Sequence, residues 1–129
     1  MNYDLDALTE LCSERGLAFC RPTGNSLEIT LAPDCILIFE NLVAKNDTAA
    51  GFKETPWHFH GTLILTTDDA TCVEYGELAI IQGILSGDII ILSRFLAGKL
   101  HMRWLAHKTE KIDMKYISSG EEMRIQRLF

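Results

Sequence analysis

The sequence predicts an α+β fold: a mainly antiparallel sheet of seven or eight strands, an N-terminal helix and one buried helix near residues 77–86. Three observations carry this. Most apolar residues recur at period two, the spacing of a strand with a covered face. Only two stretches show the three-and-four spacing of a helix face. The strands follow one another through short turns instead of alternating with helices, which favours antiparallel pairing over βαβ units. The chain has 129 residues, so residues 1–129 are expected to form a single α+β domain.

Residues 4–15 form the first helix. Leu5, Leu8 and Cys12 share a face with Leu11 alongside, Asp4 and Asp6 suit the positive end of the helix dipole, and Gly16 is the stop. Leu27, Ile29 and Leu31 then alternate with Glu28 and Thr30 in a half-buried strand that ends at the turn Ala32-Pro33-Asp34. Residues 35–43 are apolar at both parities, the pattern of a strand covered on both faces. Residues 45–56 mix Asn, Asp, Thr, Ala, Gly and Pro and predict a long loop. Residues 57–66 predict one strand, with Trp57, Phe59, Leu63 and Leu65 on one face with Gly61, and His58, His60, Thr62, Ile64 and Thr66 on the other. Asp68-Asp69 turns into a short strand over 71–75. Residues 77–86 carry Leu78, Ile81 and Leu85 at helical spacing, widened by Ile80 and Ile84 and stopped by Gly87.

Two hairpins complete the chain. Residues 89–96 and 99–107 flank Ala97-Gly98, and a two-residue loop sets Phe95 opposite Leu100, Ser93 opposite Met102 and Ile91 opposite Trp104. The other face then holds Arg94 opposite His101, Leu92 opposite Arg103 and Ile90 opposite Leu105. Residues 112–117 and 122–128 pair around Ser118-Ser119-Gly120, and residues 123–128 offer an edge that a second copy could pair with.

Hydrophobic residues make up 47% and charged residues 23%, which excludes a disordered chain. The net charge of −6 excludes non-specific nucleic-acid binding, which needs clustered bases to displace counterions. That charge is uneven. Residues 1–90 hold four bases against fourteen acids, a net −10, and residues 91–129 hold eight bases against four acids, a net +4. The start of the chain has no basic n-region and no apolar h-region. The longest apolar stretches, residues 36–39 and 89–92, fall far short of the ~20 residues that cross a bilayer. Cys12, Cys20, Cys35 and Cys72 contain no C-x-x-C pair and each stands beside apolar residues. Together these features predict a cytoplasmic protein with buried free thiols and no membrane contact.

Three groups of residues are candidates for function. The acidic half places Glu54, Trp57, Asp68, Asp69 and Glu74 near turns, where acids interleaved with aromatics can bind a basic protein and steer its approach. Arg94, His101 and Arg103, on one predicted hairpin face, can bind a phosphate or carboxylate. His58 and His60, two apart on a predicted strand, point the same way and can share one divalent metal ion as a cofactor. This pair resembles the metal motif of the cupins, but Ile64 and Leu65 stand where that motif places a Glu.

No G-x-S-x-G, G-x-G-x-x-G, G-x-x-x-x-G-K-[ST] or H-E-x-x-H occurs. The expected function is therefore a non-catalytic module that binds a basic protein, as an inhibitor or immunity-type partner. The alternative is a metal- or anion-binding domain, an enzyme included, centred on His58/His60 and Arg94/His101/Arg103. A homo-oligomer built through the C-terminal edge is a further expectation.

Overall fold

In the computed structural model, which describes residues 2–110 and 121–126, the Asp4 carboxylate accepts the Ala7 N–H at 3.0 Å and starts α1 (Leu5–Arg15). Gly16 closes that helix at φ +70°, a left-handed conformation only glycine adopts without a steric cost. The α1 face predicted from spacing is the buried one: Leu5, Leu8 and Cys12. Just before it, Tyr3 exchanges two hydrogen bonds with the Asn41 side chain, at 2.7 and 3.1 Å, and ties the chain start to the sheet.

Five strands follow as an antiparallel meander in chain order: β1 (Ala18–Cys20), β2 (Ser26–Ala32), β3 (Cys35–Leu42), β4 (Asp47–Phe52) and β5 (His58–Phe59). A two-stranded sheet of β6 (Leu63–Thr66) and β7 (Cys72–Tyr75) leads into α2 (Glu77–Ser86). The last sheet has the order β10-β8-β9, from β8 (Ile89–Leu96), β9 (Lys99–His107) and β10 (Glu121–Gln126). The fold is thus α+β, with two helices and ten antiparallel strands in three sheets among the described residues. None of the described helices is long and apolar enough to cross a membrane.

One large core unites these parts. Leu27, Ile29, Leu37 and Phe39 from the inner face of the meander meet Leu8 of α1, Ile80 and Ile81 of α2, and Ile89, Ile91 and Leu105 of the last sheet. Each such side chain stabilises the fold by roughly 1.5–3 kcal/mol when fully buried. Helix α2 lies so close to β8 that a Cβ on Gly83 would stand 2.6 Å from Ile89 Cδ1. A small second cluster of Ile90, Leu92 and Ala106, with Trp104 and Met123, occupies the other face of the last sheet.

The strand count exceeds the predicted seven or eight because the chain breaks where its residues looked uniform and pairs where they looked loose. Residues 47–52, predicted as loop, are β4, the strand between β3 and β5. Their Ala-Ala-Gly centre has little intrinsic strand preference, and cross-strand pairing overrides it. The single strand predicted over 57–66 is two strands in different sheets, separated at Gly61 with φ +67°. Residues 35–43 were expected to be covered on both faces. Instead β3 alternates, with Cys35, Leu37, Phe39 and Asn41 buried while Ile36, Ile38 and Leu42 are half-buried and Glu40 exposed.

The C-terminal register also differs. The Ala97-Gly98 turn forms and Phe95 faces Leu100, but a bulge then shifts the pairing, so that Arg94 faces Met102, Ser93 faces Arg103 and Leu92 faces Trp104. Strand β10 pairs with β8; its predicted partner, residues 112–117, lies outside the described residues. Cys12 and Cys35 are buried, while Cys20 and Cys72 are exposed; all four are free thiols.

Candidate functional site

The hairpin bulge decides where Arg103 goes. It turns the guanidinium inward onto the Ser93 side of β8, against the segment between β4 and β5. There Nε donates to Ser93 Oγ at 3.0 Å, and Nη1 donates to the Asp34 carbonyl at 2.8 Å and to Glu54 Oε1 at 2.9 Å. The guanidinium also lies 5.7 Å from the centre of the Phe52 ring. Only 8% of the Arg103 side chain and 20% of that of Glu54 remain exposed. The Glu54 carboxylate in turn accepts the Ile36 N–H at 3.1 and 3.2 Å. A charged pair this enclosed persists because its polar atoms have partners. It braces β8, β9, the β2–β3 turn with the start of β3, and the segment after β4.

The three residues of the predicted anion site are therefore separated. Arg103 is engaged with Glu54. Arg94 sits one residue from Ser93 and so on the opposite face of β8, half-buried, its Nε without a hydrogen-bond partner among the described residues. His101 is exposed at the bulge. Two further bases in and beside this sheet are matched: Lys108 Nζ lies 2.6 Å from Asp88, and Arg124 Nε lies 2.7 Å from Glu122, while Lys99 is exposed without an ion pair among the described residues. Arg124 additionally stacks 4.1 Å over the Phe95 ring.

His58 and His60 do come together, ring centres 5.2 Å apart in an edge-on arrangement. Each ring is committed locally through Nδ1, that of His58 to the Pro56 carbonyl at 2.9 Å and that of His60 to the Thr48 carbonyl at 2.6 Å, with Asp47 at 3.2 Å from His60. Among the described residues no three His, Cys, Asp or Glu side chains form a metal-holding group.

The acidic candidates fall into two places. Trp57 and Glu54 flank the start of β5. Trp57 is the middle of an aromatic row, 6.0 Å from Phe52 and 5.6 Å from Phe59, packed on the core. Asp68, Asp69 and Glu74 belong to the two-stranded sheet and its exposed turn. The Asp69 carboxylate accepts from the Thr67 hydroxyl and the Thr71 N–H, which hold its pKa down to about 2. Burial pushes the Cys12 and Cys35 thiols above their ordinary value, the reverse of what a nucleophile needs.

What remains unaccounted for is the outer face of the meander. Its inner face is core, but Ile36, Ile38, Leu42 and Ala49 stand half-buried on the other side, with exposed Glu40 among them. The groove there, about 160 Å³, is bordered by Ile38, Glu40, Ala49, Gly51, Trp57 and His58. No family model, curated protein or solved structure matches this chain. The assignment of function accordingly rests on the residues themselves. Apart from Trp57 and His58, the sequence did not point to this groove. The signal was present as the apolar residues at both parities of 35–43, which read as a strand with two covered faces.

Proposed function

We propose that the protein is a non-catalytic binding module for a basic protein, acting in the cytoplasm as an inhibitor or immunity-type partner. The observation that carries this is how the charges are spent. Three bases in and beside the last sheet are neutralised within the fold, Arg103 by Glu54, Lys108 by Asp88 and Arg124 by Glu122, which leaves Arg94 and Lys99 without an ion pair among the described residues. Acids of the first ninety residues, among them Glu10, Glu14, Glu40, Asp68 and Glu74, are exposed and have no ion pair among the described residues. A surface field of one sign attracts the opposite sign and raises the rate of encounter. The alternative of an anion or metal site has less behind it, since Arg94, His101 and Arg103 are apart and the two histidines are bound to backbone carbonyls.

The test is affinity capture from the native host, with reconstitution of the captured complex from purified components. The expected result is a stoichiometric complex with a partner of net positive charge, whose association slows as salt is raised. A protein that stays alone at micromolar concentration in host extract, or whose reconstituted partner is acidic, removes the proposal.

A further inference from the structure

The outer face of the meander has a map that pairing fixes. One row across the strands reads Cys20, Glu28, Ile38, Gly51, His58, and the next reads Ser26, Glu40, Ala49. Along β3 the outward residues are Ile36, Ile38, Glu40 and Leu42. A central strand of an antiparallel sheet with one wet face alternates apolar and polar residues. Here three of four outward positions on β3 are aliphatic, beside Ala49, whose small side chain leaves a shallow trough that the Trp57 and His58 backbone closes off over Gly51. Both helices lie on the inner side, in the core, so among the described residues no helix covers the outer face, whose aliphatic side chains are half-buried.

The charges on the face say what fits. Among the described strand residues its acids are Glu28, Glu40 and Asp47, and Lys53 beside them lies 3.0 Å from Glu28. Asp47 lies beside His60, and Glu40 has no ion pair among the described residues. A second copy docked face to face would set this acidic surface against itself, at an electrostatic cost. Anionic lipid and nucleic acid are repelled for the same reason.

We propose that this face, centred on Ile38 and Glu40, docks a basic amphipathic helix of another protein. The helix's aliphatic side chains lie along Ile36, Ile38, Leu42 and Ala49, and its Lys or Arg side chains meet Glu40. The seven residues of strand from Ile36 to Leu42 span roughly 20 Å, the length of about 13 residues of helix. The docked helix completes a helix–sheet–helix sandwich and shields aliphatic side chains that are only half-buried among the described residues. This inference rests on the binding-module reading and assigns it a surface.

The experiment uses the whole protein and a labelled Leu/Lys amphipathic peptide of roughly 18 residues, about five turns, followed by fluorescence anisotropy. A matched Leu/Glu peptide is the control. The Leu/Lys peptide is expected to bind saturably and at least about tenfold more tightly than Leu/Glu. Ile38→Asp and Glu40→Lys are each expected to weaken it by at least about tenfold, and Ile64→Asp, on the outer face of β6, to leave it unchanged.

Thermal unfolding checks each variant; Glu40 is exposed, so Glu40→Lys keeps the test alive if Ile38→Asp does not fold. Leu/Lys binding that ignores both substitutions overturns the face while leaving the binding module intact. Binding of neither peptide also overturns the face, and the module is then judged by its host partner. A dimer in sedimentation equilibrium that Ile38→Asp dissociates makes the occupant a second copy and overturns the proposal.

Discussion

Arg103 of β9 and Glu54, in the segment between β4 and β5, meet at 2.9 Å across the seam between two sheets. The sequence placed one in an anion site and the other on a partner surface; the fold uses each to neutralise the other. Removing one member of such an enclosed pair strands the other's charge. Arg103→Ala is expected to lower the unfolding free energy by about 3–5 kcal/mol. Glu54→Gln, which keeps the shape and is nearer solvent, should cost about 1–2 kcal/mol. Urea denaturation of both singles and the double gives the coupling. Effects that simply add, or an Arg103→Ala as stable as wild type, would show that the pair braces nothing.

Gly51 sits where β4 passes β5, and a Cβ there would meet the Trp57 carbonyl at 2.3 Å and His58 Cβ at 2.9 Å. The first of these is backbone and cannot swing aside. Gly51→Ala should therefore cost about 1–3 kcal/mol and pull Trp57 away from Phe52 and Phe59. A denaturation midpoint lowered together with a shifted tryptophan emission is the expected pair of signals. An unchanged emission spectrum would mean that the strands can separate without moving the aromatic row.

Local signals that are physically independent of the rest of the chain were legible in the sequence. The Asp4 and Gly16 ends of α1, its Leu5/Leu8/Cys12 face, α2 and the Ala97-Gly98 turn all depend on neighbours a few residues away. What escaped is set by distant contacts. Strand β4 exists because β3 and β5 flank it, not because Asp-Thr-Ala-Ala-Gly-Phe favours a strand. The bulge that turns Arg103 inward is a one-residue slip that exchanges faces, and alternation alone does not mark it. Of the candidate sites, the two-histidine contact was legible because His58 and His60 are two apart, although β5 ends at Phe59 and His60 follows it. The half-buried outer face was not, because the same aliphatic pattern serves a strand buried on both faces and one whose second face stays partly exposed.

Ala97 holds φ +51° and Gly98 φ +80° in the β8–β9 turn. Both central residues of this mirror-image turn are left-handed, which costs an alanine roughly 1–2 kcal/mol and asparagine less. Ala97→Asn should raise stability by about 0.5–1 kcal/mol, read as a higher melting temperature with the same denaturant slope. A loss of stability would mean that the strain is relieved elsewhere in the hairpin.

The four thiols divide by exposure. Cys20 and Cys72 stand at the surface, while Cys12 and Cys35 are within the core, where burial raises their pKa. Thiolate is the reactive form, so a disulfide reagent such as dithionitrobenzoate should titrate two thiols quickly in the native protein and the other two only on unfolding. Cys20→Ser with Cys72→Ser should abolish the fast phase. Fast reaction of Cys35 in that double variant would show that the seam beside Arg103 opens in the native state.

Asp69 supplies a pH test confined to one turn. Its carboxylate, held mainly by the Thr67 hydroxyl and then by the Thr71 side chain and N–H, titrates at about 2 instead of the ordinary 3.8. A folded pKa below the unfolded one means that the carboxylate stabilises the turn above pH 3.8. That contribution is lost as pH falls from there through about 2, because the unfolded chain takes up its proton first. The carboxyl carbon followed by NMR should show its midpoint near 2 in the wild type. Thr67→Val, which removes the hydroxyl while keeping the branched shape, should move it up towards 3.8. A wild-type midpoint already at the ordinary value would mean that Thr67 and Thr71 do not hold the carboxylate in solution.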